Sequence, residues 1–159
     1  MRWGPLTLVV LVGCMPASHR AARRLEGRYA TGKPGSGWTS VAPSGADFAW
    51  FNESFGAMIY TDSNCGPRYA ESKVEDLAAE LLAGLRGVTG EREEYRDIGG
   101  REGVLRVHRG KLDGVEVRLG LAVVNRDACN YDFTLIANPD QFDAAWPAYE
   151  AVIDGFEPS

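Results

Sequence analysis

Val104-Leu105-Arg106-Val107-His108-Arg109-Gly110-Lys111-Leu112-Asp113-Gly114-Val115-Glu116-Val117-Arg118-Leu119-Gly120-Leu121-Ala122-Val123 holds two β-patterned runs on either side of an Asp-Gly pair. Asp-Gly suits a two-residue hairpin turn, because both central positions accept the positive φ that matches strand twist. After the turn, Val115, Val117, Leu119, Leu121 and Val123 share one face while Glu116 and Arg118 take the other, the alternation of a half-buried strand. Before it, Val104 to Arg109 continues a sheet across the Gly99-Gly100 turn. The polar run Glu91 to Asp97 reads as an edge strand whose charges discourage pairing with other chains.

Toward the C-terminus, Tyr131, Phe133 and Leu135 alternate with Asp132 and Thr134 in a last strand that ends before Pro139. Asn138-Pro139-Asp140-Gln141 then reads as a helix start, with an N-cap and a proline in the first turn. Phe142, Trp146, Tyr149, Val152, Ile153 and Phe156 form its apolar stripe, and Pro147 predicts a kink or a restart. Toward the N-terminus, Phe48 and Trp50, a turn at Asn52-Glu53-Ser54 and the run Ala57 to Thr61 make a hairpin. Ser72-x-x-Glu75 predicts a capping box. Val74, Leu77, Ala78, Leu81, Leu82 and Leu85 then recur at helical spacing, with Gly87 as the expected stop. Two strands, a helix, about four strands and a final helix define an α+β domain: an antiparallel sheet of about six strands with helices packed on it.

This order of elements, with the C-terminal stripe closing on Ile153-Asp154-Gly155-Phe156, resembles the PsbP/Mog-like α/β/α sandwich over Asp47 to Glu157. The resemblance implies an interaction module rather than an enzyme, since that group includes photosystem assembly proteins and a Ran-binding protein. It transfers no binding residue to this chain, and fold alone does not give function.

At the N-terminus, Arg2, the apolar run Leu6 to Val12 and the tetrapeptide Leu11-Val12-Gly13-Cys14 resemble the type II signal peptide and lipobox of bacterial lipoproteins. The resemblance implies that residues 1–13 are removed and that Cys14 becomes the first residue. Its thiol would carry a diacylglycerol and its amine an acyl chain such as palmitate, enough for stable anchoring. Met15 in place of Asp favours the outer membrane in the enterobacterial sorting scheme. The other reading is an ordinary secretory signal with an incidental cysteine.

Residues 14–46 read as a tether, basic at first and then rich in Gly, Pro and Ser. From Cys14 to Lys33 the net charge is +4, and from Pro34 onward it is −10. A basic leash before an acidic domain suits anionic headgroups, or else merely solubilises a linker. The acidic domain argues against nucleic acid as a partner. A single globular domain is expected over 47–159, with Trp38 docking back on it or standing exposed as a contact residue.

Export leaves Cys65 and Cys129 as each other's partners once Cys14 is lipidated, so a disulfide is expected. A redox pair and free buried thiols are the alternatives, although no Cys-x-x-Cys turn is present. Enzyme chemistry lacks its groups. His19 lies in the tether and His108 on a strand facing solvent or a polar partner, leaving no oriented base for a Ser or Cys nucleophile. The carboxylates read as a solvated face rather than a glycosidase pair. No phosphate-binding glycine loop or metal-spaced His/Cys cluster is present, so neither cofactor nor metal is expected. Asp127, Asn130 and Asp132 offer oxygen ligands without the spacing of a calcium loop.

Two functions remain. The first is a lipid-anchored, non-catalytic module at the periplasmic face of the envelope that docks onto another envelope protein through Trp38, Phe55 and Trp146. The second is a binder of a small apolar molecule or lipid in a pocket between the sheet and the C-terminal helix. For Phe142, Trp146, Tyr149 and Phe156, core packing is the plainer role.

Overall fold

The computed structural model describes residues 27–159, so the lipobox, Cys14 and the basic part of the tether up to residue 26 lie outside it. The elements in chain order are β1 (Tyr29–Ala30), β2 (Thr39–Ser40), β3 (Phe48–Asn52), β4 (Ala57–Cys65), α1 (Val74–Glu80), β5 (Leu85–Ile98), β6 (Arg101–Leu112), β7 (Val115–Arg126), β8 (Cys129–Ala137), α2 (Phe142–Asp154) and β9 (Glu157–Pro158). Seven strands form one antiparallel sheet in the order β2-β3-β4-β8-β7-β6-β5, and β1 pairs with β9 in a separate ribbon. The Asp113-Gly114 hairpin forms as its pattern requires, with Leu112 opposite Val115 and Val104 opposite Val123.

Alternation along β7 assigns the two faces. Gly120 and Ala122 meet α2, whereas Val117, Leu119, Leu121 and Val123 face α1 and the leucines that follow it. The α2 face holds the larger core: Ile59, Leu105, Val107, Phe133 and Leu135 from the sheet against Phe142, Tyr149, Val152 and Ile153 from the helix. Burying each large apolar side chain of this kind contributes roughly 1.5–3 kcal/mol. The Tyr149 hydroxyl, fully buried, donates to the Phe133 carbonyl at 2.8 Å. Helices on both faces make an α/β/α sandwich.

Five expectations need correction. The helix at Val74 stops at Glu80, not before Gly87. Gly84 takes φ +97°, and Leu85 already opens β5. Leu81, Leu82 and Leu85 keep their helical spacing only because turn and strand both pack them, partly buried, against Val117, Leu119 and Leu121. The capping box does not form: Lys73 is the N-cap, and the Ser72 hydroxyl bonds the Arg68 carbonyl at 2.5 Å.

At the other helix, Gln141 rather than Asn138 precedes the first turn, and Asn138 Oδ1 accepts the Asp140 N–H at 3.2 Å. Helix α2 then runs without a break through Pro147. The carbonyl that Pro147 leaves without its N–H belongs to Asp143, and both residues are exposed, so water can satisfy it.

The packed chain also begins earlier than Asp47. Tyr29 is buried in the main core, its hydroxyl at 2.9 Å from Thr61 Oγ1 and donating to Asp47 Oδ2 at 3.1 Å. Burial pushes its phenol well above the ordinary tyrosine range. Gly27 N–H donates to Ser63 Oγ at 3.1 Å, and Trp38 packs on the core beside Phe55. Two-residue strands with one aromatic between charges carry too little pattern to be read as structure.

Candidate functional site

Strand β5 is the exposed edge, and its pairing with β6 slips twice, between Arg86 and Thr89 and between Gly90 and Arg92. Bulges of this kind redirect side chains. At the second one, Glu91 accepts from Arg109 Nε at 2.8 Å and from Arg118 Nε at 2.9 Å. Those two guanidiniums, Arg109 first, hold its carboxyl below the usual glutamate range. Arg118 also reaches Asp143 Oδ1 at 3.0 Å and lies 4.3 Å from the centre of the Phe142 ring. Arg92 pairs with Glu94 and stands 5.6 Å from the Trp146 ring centre.

Helix α2 brings the aromatic wall. Trp146 packs in tilted geometry at 5.4 Å from Phe142 and 5.2 Å from Tyr149 between ring centres, over Gly120 of β7. A Cβ on Gly120 would come within 2.9 Å of the Trp146 ring, so the missing side chain lets the indole settle. The result is an open groove of about 350 Å³ between α2 and the β5 edge, floored by Val107 and walled by Arg92, Arg118, Phe142 and Trp146. Glu91 and Asp143 complete its rim. Phe142 is buried, so Trp146 is the aromatic side chain the groove presents, beside guanidiniums already paired with Glu91, Asp143 and Glu94.

Across the same bulge lies a second cleft of about 280 Å³, bounded by Gly90, Glu93, Arg106 and His108. His108 does not reach solvent or a polar partner as its position on the strand suggested: both ring nitrogens are buried and make no hydrogen bond. Burial first, then the Arg106 charge, lowers its pKa, against the opposing pull of Glu93 and Glu91. Glu93 is itself held by Arg106 Nε at 2.6 Å.

Cys65 and Cys129 form a disulfide between directly opposed residues of β4 and β8, with Cα atoms 4.0 Å apart. Trp38 and Phe55 meet at 6.5 Å between ring centres. Trp146 makes its ring contacts with Phe142 and Tyr149 of α2. Asp127, Asn130 and Asp132 do not converge: Asp127 sits in the exposed β7–β8 turn against Arg126, while Asn130 and Asp132 are buried. Among the described residues no His/Cys/Asp/Glu group is arranged to hold a metal.

The burial of Asp132, 3 % exposed, departs from a simple inside–outside alternation in β8. It belongs to a polar stripe on the α1 face, in which Tyr60, Asp62 and Asn64 stand opposite Thr134, Asp132 and Asn130. The side chain of Asn64 donates to Asp62 Oδ2 at 3.3 Å, and that of Asn130 to Asp132 Oδ2 at 3.4 Å. A segment after β4 crosses this side of the sheet, with Asn125 Nδ2 donating to the Tyr69 carbonyl at 2.5 Å.

The interior between sheet and α2 is filled by side chains of the main core, and the space that opens between them is this groove at the β5 edge. The groove was not foreseen as a unit. Its one sequence signal is Gly120, a lone glycine inside the clearest strand, which marks close approach by another group.

The comparisons place this architecture. No protein-family model and no curated protein matches the chain. Among solved structures, cyanobacterial PsbP from Synechocystis is similar at TM-score 0.56 and 15 % identity, covering 78 % of this chain and 83 % of that one. LpqN of Mycobacterium tuberculosis, described as involved in cell envelope biogenesis, is similar at TM-score 0.57 and 12 % identity, covering 84 % and 86 %. A Pseudomonas aeruginosa protein of unknown function, PA94, follows at TM-score 0.50 and 17 % identity, with 80 % of each chain covered. At these identities the likeness establishes a PsbP-like fold. No helix among the described residues is long and apolar enough to cross a membrane.

Proposed function

We propose that this chain is a lipid-anchored protein of the bacterial cell envelope, facing the periplasm, most simply from the outer membrane, whose domain docks a protein partner and catalyses no reaction. The observation that carries the docking reading is the groove beside α2, where Arg92 and Arg118 lie over Trp146 and Phe142. Trp and Arg dominate the binding energy of protein interfaces. The groove therefore suits an extended partner segment that lays an aromatic or aliphatic side chain against Trp146. Anchoring is supported by the lipobox at Cys14 and by the Cys65–Cys129 disulfide, a bond that belongs to an oxidising compartment. LpqN, described as involved in cell envelope biogenesis, has a similar fold, which is compatible with this setting.

Photocrosslinking in intact cells tests the docking, with a benzophenone amino acid in place of exposed Asp143 at the groove rim. The expected result is an adduct with one envelope protein that weakens about tenfold when Arg92→Glu reverses the charge over Trp146. No adduct, or one unchanged by Arg92→Glu, would overturn the reading.

A further inference from the structure

On the face opposite α2, the seven-residue α1 covers only β6 and β7. The β3–β4 half of that face has no helix over it, and Phe51 and Met58, directly paired across the two strands, stay 38 % and 39 % exposed. Residues 41–46, Val-Ala-Pro-Ser-Gly-Ala, arch beside these strands. The arch is pinned at both feet: Val41 N–H donates to the Ala49 carbonyl at 3.0 Å, and Asp47 N–H to the Thr61 carbonyl at 2.8 Å. Between arch and sheet lies a cavity of about 510 Å³, lined by residues 41–46 with Ala49, Met58 and Tyr60. That volume falls in the ordinary range of small-ligand sites.

Two features of the lining choose the occupant. None of its side chains carries a charge, although a quarter of the whole chain is Asp, Glu, Lys or Arg. An ion placed there would find no countercharge among the lining side chains. At one end, Tyr60 belongs to the polar stripe: Thr134 stands opposite it, and the pair Asp62 and Asp132 follows two residues along the same face. That end offers hydroxyl groups and repels an anion. Met58 supplies a side chain that adapts to irregular apolar shapes.

We infer that the cavity under the 41–46 arch binds the hydrocarbon chain of an uncharged single-chain amphiphile, with its hydroxyl head at Tyr60. A protein partner is the less favoured occupant, because the arch closes one side of the cavity and leaves a slot rather than a flat patch. The site lies across the sheet from the docking groove and does not depend on it.

The test uses the full chain carrying Cys14→Ser, so that no acyl group on that residue requires detergent, titrated with 1-decanol and separately with decanoate. Amide shifts in an NMR spectrum are the readout. The expected result is a saturable shift of the Gly45, Ala46 and Tyr60 amides with decanol, and binding of decanoate about tenfold weaker. Met58→Asp and, independently, Ala46→Trp abolish the shifts, while the amides of β8 residues such as Phe133 report that each variant stays folded. Absence of saturable shifts with decanol, equal binding of decanoate, or binding that survives both substitutions would overturn the inference.

Discussion

Gly155, at the end of α2, lies against Gly32 so closely that a Cβ on Gly155 would stand 2.4 Å from the Gly32 Cα. The converse is tighter still, since a Cβ on Gly32 would fall 1.9 Å from the Ala151 carbonyl oxygen. At this crossing the Gly32 N–H donates to the Val152 carbonyl at 3.1 Å, and the chain goes on to pair β1 with β9. Two glycines thus let the N-terminal segment pass over the helix end.

Replacing Gly155 by Ala should force the two backbones apart. Its φ of −90° suits any residue, so the cost is overlap alone, of the order of 1–3 kcal/mol. Chemical denaturation measures the loss. Hydrogen exchange at the Gly32 amide should speed up by more than the global change explains, because the crossing opens before the sheet does.

The fold class was legible because alternation in β7 and β8 and the apolar stripe of α2 depend on few distant residues. The ends of α1 were not, since Leu81, Leu82 and Leu85 follow helical spacing yet are partly buried by a turn and a strand. Tyr29 escaped notice because its burial depends on Phe48, Tyr131 and Phe156, all far along the chain. The groove depends likewise on a bulge at Gly90–Arg92 that places Glu91 between Arg109 and Arg118. No local pattern encodes a register shift. The pairing of Cys65 with Cys129 was legible because only two thiols remain after Cys14.

Double substitution Cys65→Ser/Cys129→Ser should remove about 4 kcal/mol of stability, the chain-entropy value for a crosslink across this sequence separation of 64. Urea titration of oxidised and substituted protein reads the difference. A loss under about 1 kcal/mol would mean that the unfolded chain is already held compact.

Stability should fall on acidification in two separable stages. The folded pKa of His108 lies below its unfolded value of about 6.5, so its contribution is complete above that pH and is lost as pH falls toward the folded value. Glu91 also has a lowered pKa, so its contribution is present above the unfolded carboxylate value of about 4.3 and disappears as pH falls through the folded one. Denaturation midpoints between pH 8 and pH 3 should therefore show an upper decline that His108→Gln removes and a lower one, shared with Glu75, that Glu91→Gln reduces.

Gly120→Val should displace Trp146 and Tyr149, whose rings lie 2.9 Å and 3.1 Å from the position of the added Cβ. Overpacking of this kind costs about 1–3 kcal/mol. Trp146 would leave its place under Arg92, so the same variant should weaken the crosslink from position 143 while the disulfide stays formed.

Compartment, thiol pairing and tethered docking all rest on the chemistry of Cys14, and mass spectrometry of the N-terminal peptide from protein made in its native cells reads that directly. The account predicts that the mature chain starts at Cys14, with a diacylglycerol on sulfur and an acyl group on nitrogen, and fractionates with membranes. An unmodified chain starting at Met1 in the soluble fraction would contradict it.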